Sequence, residues 1–251
     1  MYYKNNDINM YYEVYGKNNY NKVLILPGWG ETRKTFYDLI NSLKEKFKVY
    51  IVDYPGFGNT KFPNKDLDIY DYAILIRNFM NDNKIINPVI IAHSFGGRIS
   101  IILNGLYKVK IRKMILIDIA GIRRKSLKRY IRQKIYKLRK KMVYFLPREK
   151  RIKYLNKLRK EYGSSDYNNL DKNMYQTFKN VINEDLRKHV KSITSKTLLL
   201  WGFKDTSTPI KDGYYLNKRI KESHLIIFPN GTHFVYLEYK NEICNIIQKY
   251  I

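Results

Sequence analysis

The chain has 251 residues, of which 44% are hydrophobic and 15% aromatic, enough to bury a sizeable core as one domain or one domain with an insertion. This composition excludes an intrinsically disordered chain. The net charge of +26 would ordinarily indicate nucleic acid or an anionic membrane surface as a partner. The joint richness in Lys, Asn, Ile and Tyr is also the bias that an AT-rich coding sequence produces without selection for a partner.

The sequence contains no run of 18 apolar residues, and its start lacks the apolar segment of a signal peptide. We therefore expect a cytoplasmic location. The single cysteine, Cys244, has no internal disulfide partner, and we expect a small core residue there rather than a reactive thiol.

Short apolar runs bounded by turn residues recur along the chain, with helical stretches between them. Residues 2–15 predict a hairpin turned at Asn5-Asn6-Asp7, which gives one or two antiparallel strands at the edge of a sheet. The later runs are almost continuously apolar, as strands buried on both faces are, and lie at 23–26, 49–52, 89–91, 114–117, 197–200 and 225–228. Crossover helices are expected at 34–46, 69–81, 97–107, 210–220 and 235–250. These elements predict a mostly parallel sheet flanked by helices.

The alternation of strands and helices stops between Ile119 and Ile193. Apolar residues recur there at helical spacing, and basic residues lie on the opposite side. The apolar residues are Leu127, Tyr130, Ile131, Ile135, Leu138 and Met142. Pro147 should end this first helix. A second helix is expected at 148–160, a break at Gly163-Ser164-Ser165-Asp166, and a third helix at 172–189.

We therefore expect a core domain formed by residues 1–120 and 192–251, and a helical, strongly basic cap at 121–191. Residues 123–160 hold most of a basic cluster, and Glu149 alone interrupts it with the opposite charge. Packing of this cap as a lid is the expectation, and contact of its amphipathic face with a membrane surface is the alternative.

Four strand ends carry distinctive residues, and in open α/β sheets the chemistry collects beyond the carboxyl ends of the strands. They are Pro27-Gly28-Trp29-Gly30, His93-Ser94-Phe95-Gly96, Trp201-Gly202-Phe203-Lys204-Asp205 and Gly231-Thr232-His233-Phe234. The segment from Ala92 to Gly96 is a near match to G-x-S-x-G, the elbow that lifts a nucleophilic serine onto a sharp strand-to-helix turn. Ser94, Asp205 and His233 follow one another in the order that a hydrolase triad on this kind of sheet uses.

On these motifs the chain resembles the α/β-hydrolase superfamily, and within it the capped esterase and carbon–carbon hydrolase branch. The resemblance covers essentially the whole length, because residues 27–30 resemble the H-G-W-G oxyanion loop and residues 53–58 the D-x-P-G-F-G turn. Residues 201–205 resemble the W-G-x-x-D acid turn, residues 231–234 the G-H-F turn, and residues 183–187 a segment near the return from the cap. The fold that this implies is a mostly parallel central sheet flanked by helices, with a helical cap inserted after the sixth strand.

The resemblance and the chemistry of each group imply the same roles. Ser94 is the nucleophile, His233 the base that removes its proton, and Asp205 the acid that orients the imidazole. The backbone N–H groups of Trp29 and Phe95 form the oxyanion hole. No cofactor is implied, since no metal-ligand spacing or nucleotide-binding loop is present.

One position departs from the family pattern, because Pro27 stands where a histidine usually braces the oxyanion loop. Proline has no side-chain donor, although its fixed φ stiffens the chain. Asp118, at another strand end, is the alternative acid, since some members of the superfamily place the acid there. We expect His93 to be a structural hydrogen-bonding group, and Asp53 and Gly56 to fix a turn.

The implied activity is hydrolysis of a small, largely apolar carboxylic ester or related acyl compound. The alternative within the same chemistry is hydrolysis of a carbon–carbon bond in a vinylogous diketone. The alternative from another class is a non-catalytic protein that binds nucleic acid or an anionic surface through the basic cap, with a salt-dependent affinity. The intact triad argues against a non-catalytic ligand binder, whereas binding of nucleic acid or an anionic surface stays open until the salt dependence is measured.

Overall fold

The computed structural model describes residues 1–123, 127–162 and 170–251. In this part of the chain, eight strands form one sheet in the order β1-β2-β4-β3-β5-β6-β7-β8. The strands are β1 (Tyr2–Asn5), β2 (Ile8–Tyr15), β3 (Lys22–Leu26), β4 (Lys48–Val52), β5 (Val89–His93), β6 (Lys113–Ile117), β7 (Lys196–Gly202) and β8 (Ser223–Phe228). β1 pairs with β2 and β2 with β4 in antiparallel fashion, and all the other neighbours are parallel. The expected edge hairpin and parallel sheet are both confirmed.

The central strands are mostly apolar because helices cover both faces of the sheet. Along β3, Leu24 and Leu26 point into one core while Val23 and Ile25 point into the other. Successive side chains of a strand leave opposite faces, so a strand buried on both sides is apolar at most positions. All five residues of β5 are buried, and this strand ends directly at the predicted elbow.

The helices outside the insertion alternate with the strands as expected. They are α1 (Tyr37–Leu43), α2 (Ile69–Asp82), α3 (Phe95–Ile101), α8 (Ile210–Arg219), α9 (Val235–Glu238) and α10 (Lys240–Tyr250). α2 begins at a capping box, in which Asp68 accepts from the backbone N–H of Asp71 and Asp71 accepts from that of Asp68. The helix expected at 235–250 is interrupted at Tyr239, and the one expected at 97–107 starts earlier and ends in a π-helical turn, Ile102–Leu106.

The helices of the insertion lie between β6 and β7. They are α4 (Leu127–Met142), α5 (Arg148–Tyr162), α6 (Tyr175–Asn183) and α7 (Arg187–Val190). α4 ends five residues before Pro147, and a single 3₁₀ turn, Val143–Phe145, follows it. The expected break at Gly163-Ser164-Ser165-Asp166 lies outside the described residues, as do the side chains of Leu127 and Tyr130. That the insertion forms a separate domain stays a prediction.

The helix expected at 172–189 is split, and tertiary hydrogen bonds account for the gap between α6 and α7. The N–H of Leu186 donates to the carbonyl of Gly121 at 2.9 Å, and Arg98 on α3 donates to the carbonyl of Glu184 at 3.0 Å. The Asp185 side chain accepts from the N–H of Arg187, two residues further on, as aspartate does in turns. The second half of the insertion is thereby tied to the helix that follows the elbow.

Candidate active site

Ser94 lies on the sharp turn between β5 and α3 with φ of 43°, a strained conformation for a residue with a side chain. The turn is closed by small neighbours: a Cβ on Gly96 would lie 2.0 Å from the Leu26 carbonyl oxygen, and one on Gly97 would lie 2.3 Å from Ile119. Ala92 is fully buried within β5, so the alanine in place of the usual glycine is accommodated. The local geometry is that of a nucleophile elbow.

The structure brings together the three residues that the sequence singled out. Nε2 of His233 lies 3.0 Å from Oγ of Ser94, and Nδ1 of His233 lies 2.7 Å from Oδ2 of Asp205. Ser94 and His233 are half-buried, whereas Asp205 is buried. A hydroxyl, an imidazole and a carboxylate are therefore linked in series, with the hydroxyl at the solvent-accessible end.

Asp205 is held in place by donors from its own turn. Its Oδ1 accepts from the N–H groups of Ser207 and Thr208, and its Oδ2 accepts from the Thr208 hydroxyl at 2.5 Å. Burial alone would raise the pKa of this carboxyl, but the hydrogen bond and charge of His233 and the Thr208 donors lower it below its usual value. The group is thus an anion facing the imidazole. Sequence reasoning missed Thr208. An aspartate whose side chain accepts from backbone N–H groups two or three residues further on is a common turn, and it could have indicated this contact.

The alternative acid, Asp118, has a different environment. It is fully buried, and its Oδ1 accepts from the N–H of Gly202 at 2.8 Å. Burial raises the pKa of Asp118 to about 7, and the nearby Asp205 charge acts in the same direction. The carboxylate that contacts His233 is that of Asp205.

The loop after β3 carries the first predicted oxyanion donor. Trp29 is half-buried, and its ring makes edge contacts with Phe57, Phe95 and Phe178 at centroid distances of 5.0 to 5.2 Å. Phe95 is the first residue of α3, where a backbone N–H has no partner within its helix. Phe178 comes from α6, so the second half of the insertion contacts the oxyanion loop.

A buried ion pair connects the oxyanion loop with the elbow. His93 Nδ1 lies 2.8 Å from Glu31 Oε1, and Glu31 Oε2 accepts from the N–H of Gly28 at 2.6 Å. His93 Nε2 lies 2.8 Å from the carbonyl oxygen of His233. The side chains of His93 and Glu31 are only 1% and 10% exposed. The pair therefore contacts three segments of the site at once.

The charges of this pair stabilise each other. Burial disfavours the charged form of His93, yet the adjacent Glu31 carboxylate outweighs it and raises the His93 pKa above its usual value. Burial likewise acts to raise the pKa of Glu31, and the His93 charge with the Gly28 N–H lowers it overall. The structural role expected for His93 is thus seen. Glu31 was missed, because no motif marks it.

The other predicted turn residues lie beside the site. Asp53 accepts from the guanidinium of Arg33 and from the N–H of Asn59, and Gly56 adopts φ of 92°. A groove of about 1140 Å³ between the β1–β2 hairpin and α2 contains none of the three linked residues. Cys244 is half-buried beside the core under α10.

Comparison with known proteins identifies the family of the chain. A family model described as alpha/beta hydrolase fold matches residues 21–239 of the chain. The protein therefore belongs to the α/β-hydrolase family, and it is an enzyme of that family.

Its relatives include two curated bacterial proteins of similar length. The chain is 26% identical to the AB hydrolase superfamily protein YisY of Bacillus subtilis, over 91% of this chain and 90% of that protein. It is 24% identical to the pimeloyl-[acyl-carrier protein] methyl ester esterase of Wigglesworthia glossinidia brevipalpis, over 96% and 97% of the two chains. Among solved structures, the esterase EaEST from Exiguobacterium antarcticum superposes with a TM-score of 0.75 at 21% identity, over 97% of this chain and 95% of that one.

Proposed function

We propose that the protein is a serine esterase that hydrolyses small, largely apolar carboxylic esters or related acyl compounds. The observation that carries this proposal is the linked series of Ser94, His233 and Asp205 at a serine with a strained elbow backbone. A structural serine needs neither the positive φ nor an imidazole at 3.0 Å that is itself held by a buried carboxylate. Esterase names among the relatives support the same reaction class.

In this mechanism, His233 Nε2 takes the proton of the Ser94 hydroxyl while the oxygen attacks the ester carbonyl carbon. Asp205, which accepts from His233 Nδ1, fixes the tautomer and stabilises the imidazolium that forms. The negative oxygen of the tetrahedral intermediate is held by the backbone N–H groups of Trp29 and Phe95. His233 then gives its proton to the departing alcohol, and water releases the acid from Ser94 by the same steps.

The side chains beside the oxyanion loop support the proposal of an apolar substrate. Trp29, Phe57, Phe95 and Phe178 form an aromatic cluster there, and Phe57 and Phe95 are buried. The three phenylalanines are buried and Trp29 is half-buried, so Trp29 is the member of this cluster with surface left for a substrate, and it offers no counter-charge to an ionic acyl chain. The second half of the insertion contributes Phe178 to this cluster, which supports its role as a cover beside the oxyanion loop.

A fluorophosphonate probe tests the nucleophile directly. We expect it to label the wild-type protein at Ser94, and Ser94→Ala to lose both the label and the turnover of short p-nitrophenyl esters. Ser207→Ala is the matched control, because Ser207 is exposed and holds Asp205 only through its backbone N–H. Labelling that survives Ser94→Ala would overturn the proposal. Turnover of a vinylogous diketone without ester turnover would favour the carbon–carbon hydrolase alternative.

A further inference from the structure

The first half of the insertion exposes an apolar stripe on α4. Ile131, Ile135, Leu138 and Met142 follow one another at spacings of four, three and four, so they share one face of the helix. Their exposed fractions are 48%, 44%, 62% and 60%. Just beyond the end of α4, Tyr144 and Phe145 are 65% and 90% exposed. We name these six residues the α4 face.

The α4 face lies in the most positively charged part of the chain. Residues 123–160 contain 18 of the 48 Lys and Arg residues and one acidic residue, Glu149. On the side of α4 next to α5, Arg132 and Arg139 donate to Glu161, and Arg139 also forms an ion pair with it at 2.6 Å. Lys137, Lys140 and Lys141 are exposed on the rest of the helix.

The combination of an exposed aliphatic stripe with exposed lysines distinguishes between the partners of a basic surface. Nucleic acid neutralises lysines through its phosphates, and those contacts leave a stripe of Ile, Leu and Met side chains exposed to solvent. A partner that matches both features has negative charge at its surface and hydrocarbon immediately below it. An anionic phospholipid bilayer has this arrangement, and basic amphipathic helices lie in its interface.

Within the described residues, no helix is long and apolar enough to cross a membrane. α4 is an amphipathic helix whose Lys and Arg content makes it polar on average. Such a helix lies in the plane of the interface, with its apolar side chains between the headgroups and the acyl chains. Phe145, the most exposed of the six, would then insert beyond the end of the helix.

We propose that the α4 face docks the protein on the surface of anionic phospholipid membranes. The lysines on the rest of the helix supply attraction to the headgroups, and the six apolar side chains supply the buried area. The binding needs no chemistry at Ser94. It therefore stands independently of the esterase assignment.

Co-sedimentation of the full chain with phosphatidylcholine vesicles, with and without phosphatidylglycerol, tests the docking. We expect binding to the anionic vesicles that weakens with added salt, and at least about tenfold weaker binding to the neutral ones. The double variant Leu138→Ser/Phe145→Ser should lose at least about tenfold of the affinity. Its control is Tyr20→Ser/Ile86→Ser, which removes two exposed apolar side chains elsewhere and should bind as wild type.

The charge contribution has its own matched pair of variants. Lys137→Gln/Lys140→Gln/Lys141→Gln should weaken binding by roughly fivefold per lysine and flatten its salt dependence. The triple variant Lys17→Gln/Lys61→Gln/Lys211→Gln changes net charge equally at exposed positions away from α4 and should bind as wild type. Equal losses in both triple variants would overturn the proposal, because net charge rather than the α4 face would then control binding.

Two further outcomes bear on what is bound. A tryptophan placed by Phe145→Trp should shift its emission to the blue on anionic vesicles, whereas one placed by Tyr20→Trp should not. Salt-dependent binding of duplex DNA, unaffected by Leu138→Ser/Phe145→Ser and unmatched by any vesicle binding, would overturn the proposal in favour of nucleic acid. Thermal unfolding of each variant checks that these surface changes leave the fold intact.

Discussion

The Ser94 edge of the sheet and the α4 face differ in where they place charged and apolar side chains. The first buries charged groups, and the second exposes apolar ones. At the edge, Asp205, Glu31 and His93 are buried, and each lies within 2.8 Å of a group of opposite charge or of a hydrogen-bonding partner. On α4, apolar side chains and lysines stand side by side in solvent. Both arrangements cost free energy in isolation, the first through desolvation and the second through exposed hydrocarbon.

The difference indicates what each region is built to contact. Buried and paired charges hold a small reacting group in fixed geometry, because they leave no freedom to reorient. An exposed apolar stripe flanked by lysines suits an extended surface instead, since its side chains can adapt to many partners of one general chemistry. Substitutions in one region should therefore leave the property of the other unchanged.

The largest effect should come from the acid of the candidate triad. Asp205→Asn keeps the size of the side chain but disturbs the tautomer of His233, and kcat for ester hydrolysis should fall by about 10⁴-fold. Asp118→Asn is the matched substitution and should retain kcat within about tenfold, since Asp118 bonds to Gly202 rather than to His233. Steady-state kinetics on a p-nitrophenyl ester measures both. A reversed order would make Asp118 the acid.

The buried ion pair should show a smaller effect on rate together with an effect on stability. Glu31→Gln keeps an oxygen for the Gly28 N–H but removes the charge that faces His93, so the oxyanion loop loses its link to the elbow. We expect kcat to fall by about 10- to 100-fold with a smaller change in KM. Asp38→Asn, which breaks an exposed pair with Lys240, is the control and should change neither quantity noticeably.

The pH dependence of stability separates a charged pair from a neutral packing contact. Because the pKa of Glu31 is lowered, its contribution is lost as the pH falls through that pKa; because the pKa of His93 is raised, its contribution is lost as the pH rises through that pKa. The free energy of unfolding of the wild type should show both losses as the pH is varied, whereas that of the Glu31→Gln variant should show neither. Parallel pH profiles for the two proteins would contradict the pairing.

Asp118 should reveal itself through stability rather than rate. Its pKa is about 7 in the folded protein, against an ordinary value of 3.8, so the folded state retains a proton that the unfolded state releases over this range. The contribution of Asp118 to the free energy of unfolding of the wild type should therefore decrease as the pH rises from 3.8 to about 7. Asp118→Asn lacks that contribution, and its Tm relative to wild type should be higher at pH 8 than at pH 5. A constant difference in Tm would contradict this environment.

The smallest effect on chemistry should come from the α4 face. Leu138→Ser/Phe145→Ser removes exposed side chains, so the free energy of unfolding should change by less than about 0.5 kcal/mol. Turnover of a water-soluble ester should stay within about twofold of wild type. A large loss of turnover would mean that the α4 face closes over the substrate, as the lid expectation for the whole insertion would have it.

The elbow and its partners were predictable because each is marked by a short local pattern. Ser94 follows a buried strand and is soon followed by two glycines, at positions where any Cβ would clash with its neighbours. The apolar run of the strand and the two glycines can both be read directly from the sequence. Asp205 and His233 stand at the ends of parallel strands, and the order of such ends along one edge is fixed by the topology. The strands themselves were found for a similar reason, since burial on both faces leaves a continuous apolar run.

Glu31 and the gap between α6 and α7 were not predictable, because both depend on partners distant in the chain. Glu31 is 62 residues from His93, and no pattern in the loop distinguishes it from a solvated glutamate. Leu186 lies outside a helix because its N–H donates to the carbonyl of Gly121 and not to a carbonyl of its own helix. The available hint for Glu31 was indirect: with Pro27 in place of a histidine, some other side chain had to brace the loop.

The strand order also bears on when this site can exist during synthesis of the chain. From β5 outward, the sheet grows through β6, β7 and β8 in the order in which the ribosome makes them. Ser94 and His233 are 139 residues apart, so the elbow emerges long before the imidazole that faces it. A nascent chain that has reached β7 contains Ser94 but not the imidazole that faces it. The candidate site is complete only once the turn after β8 has been added.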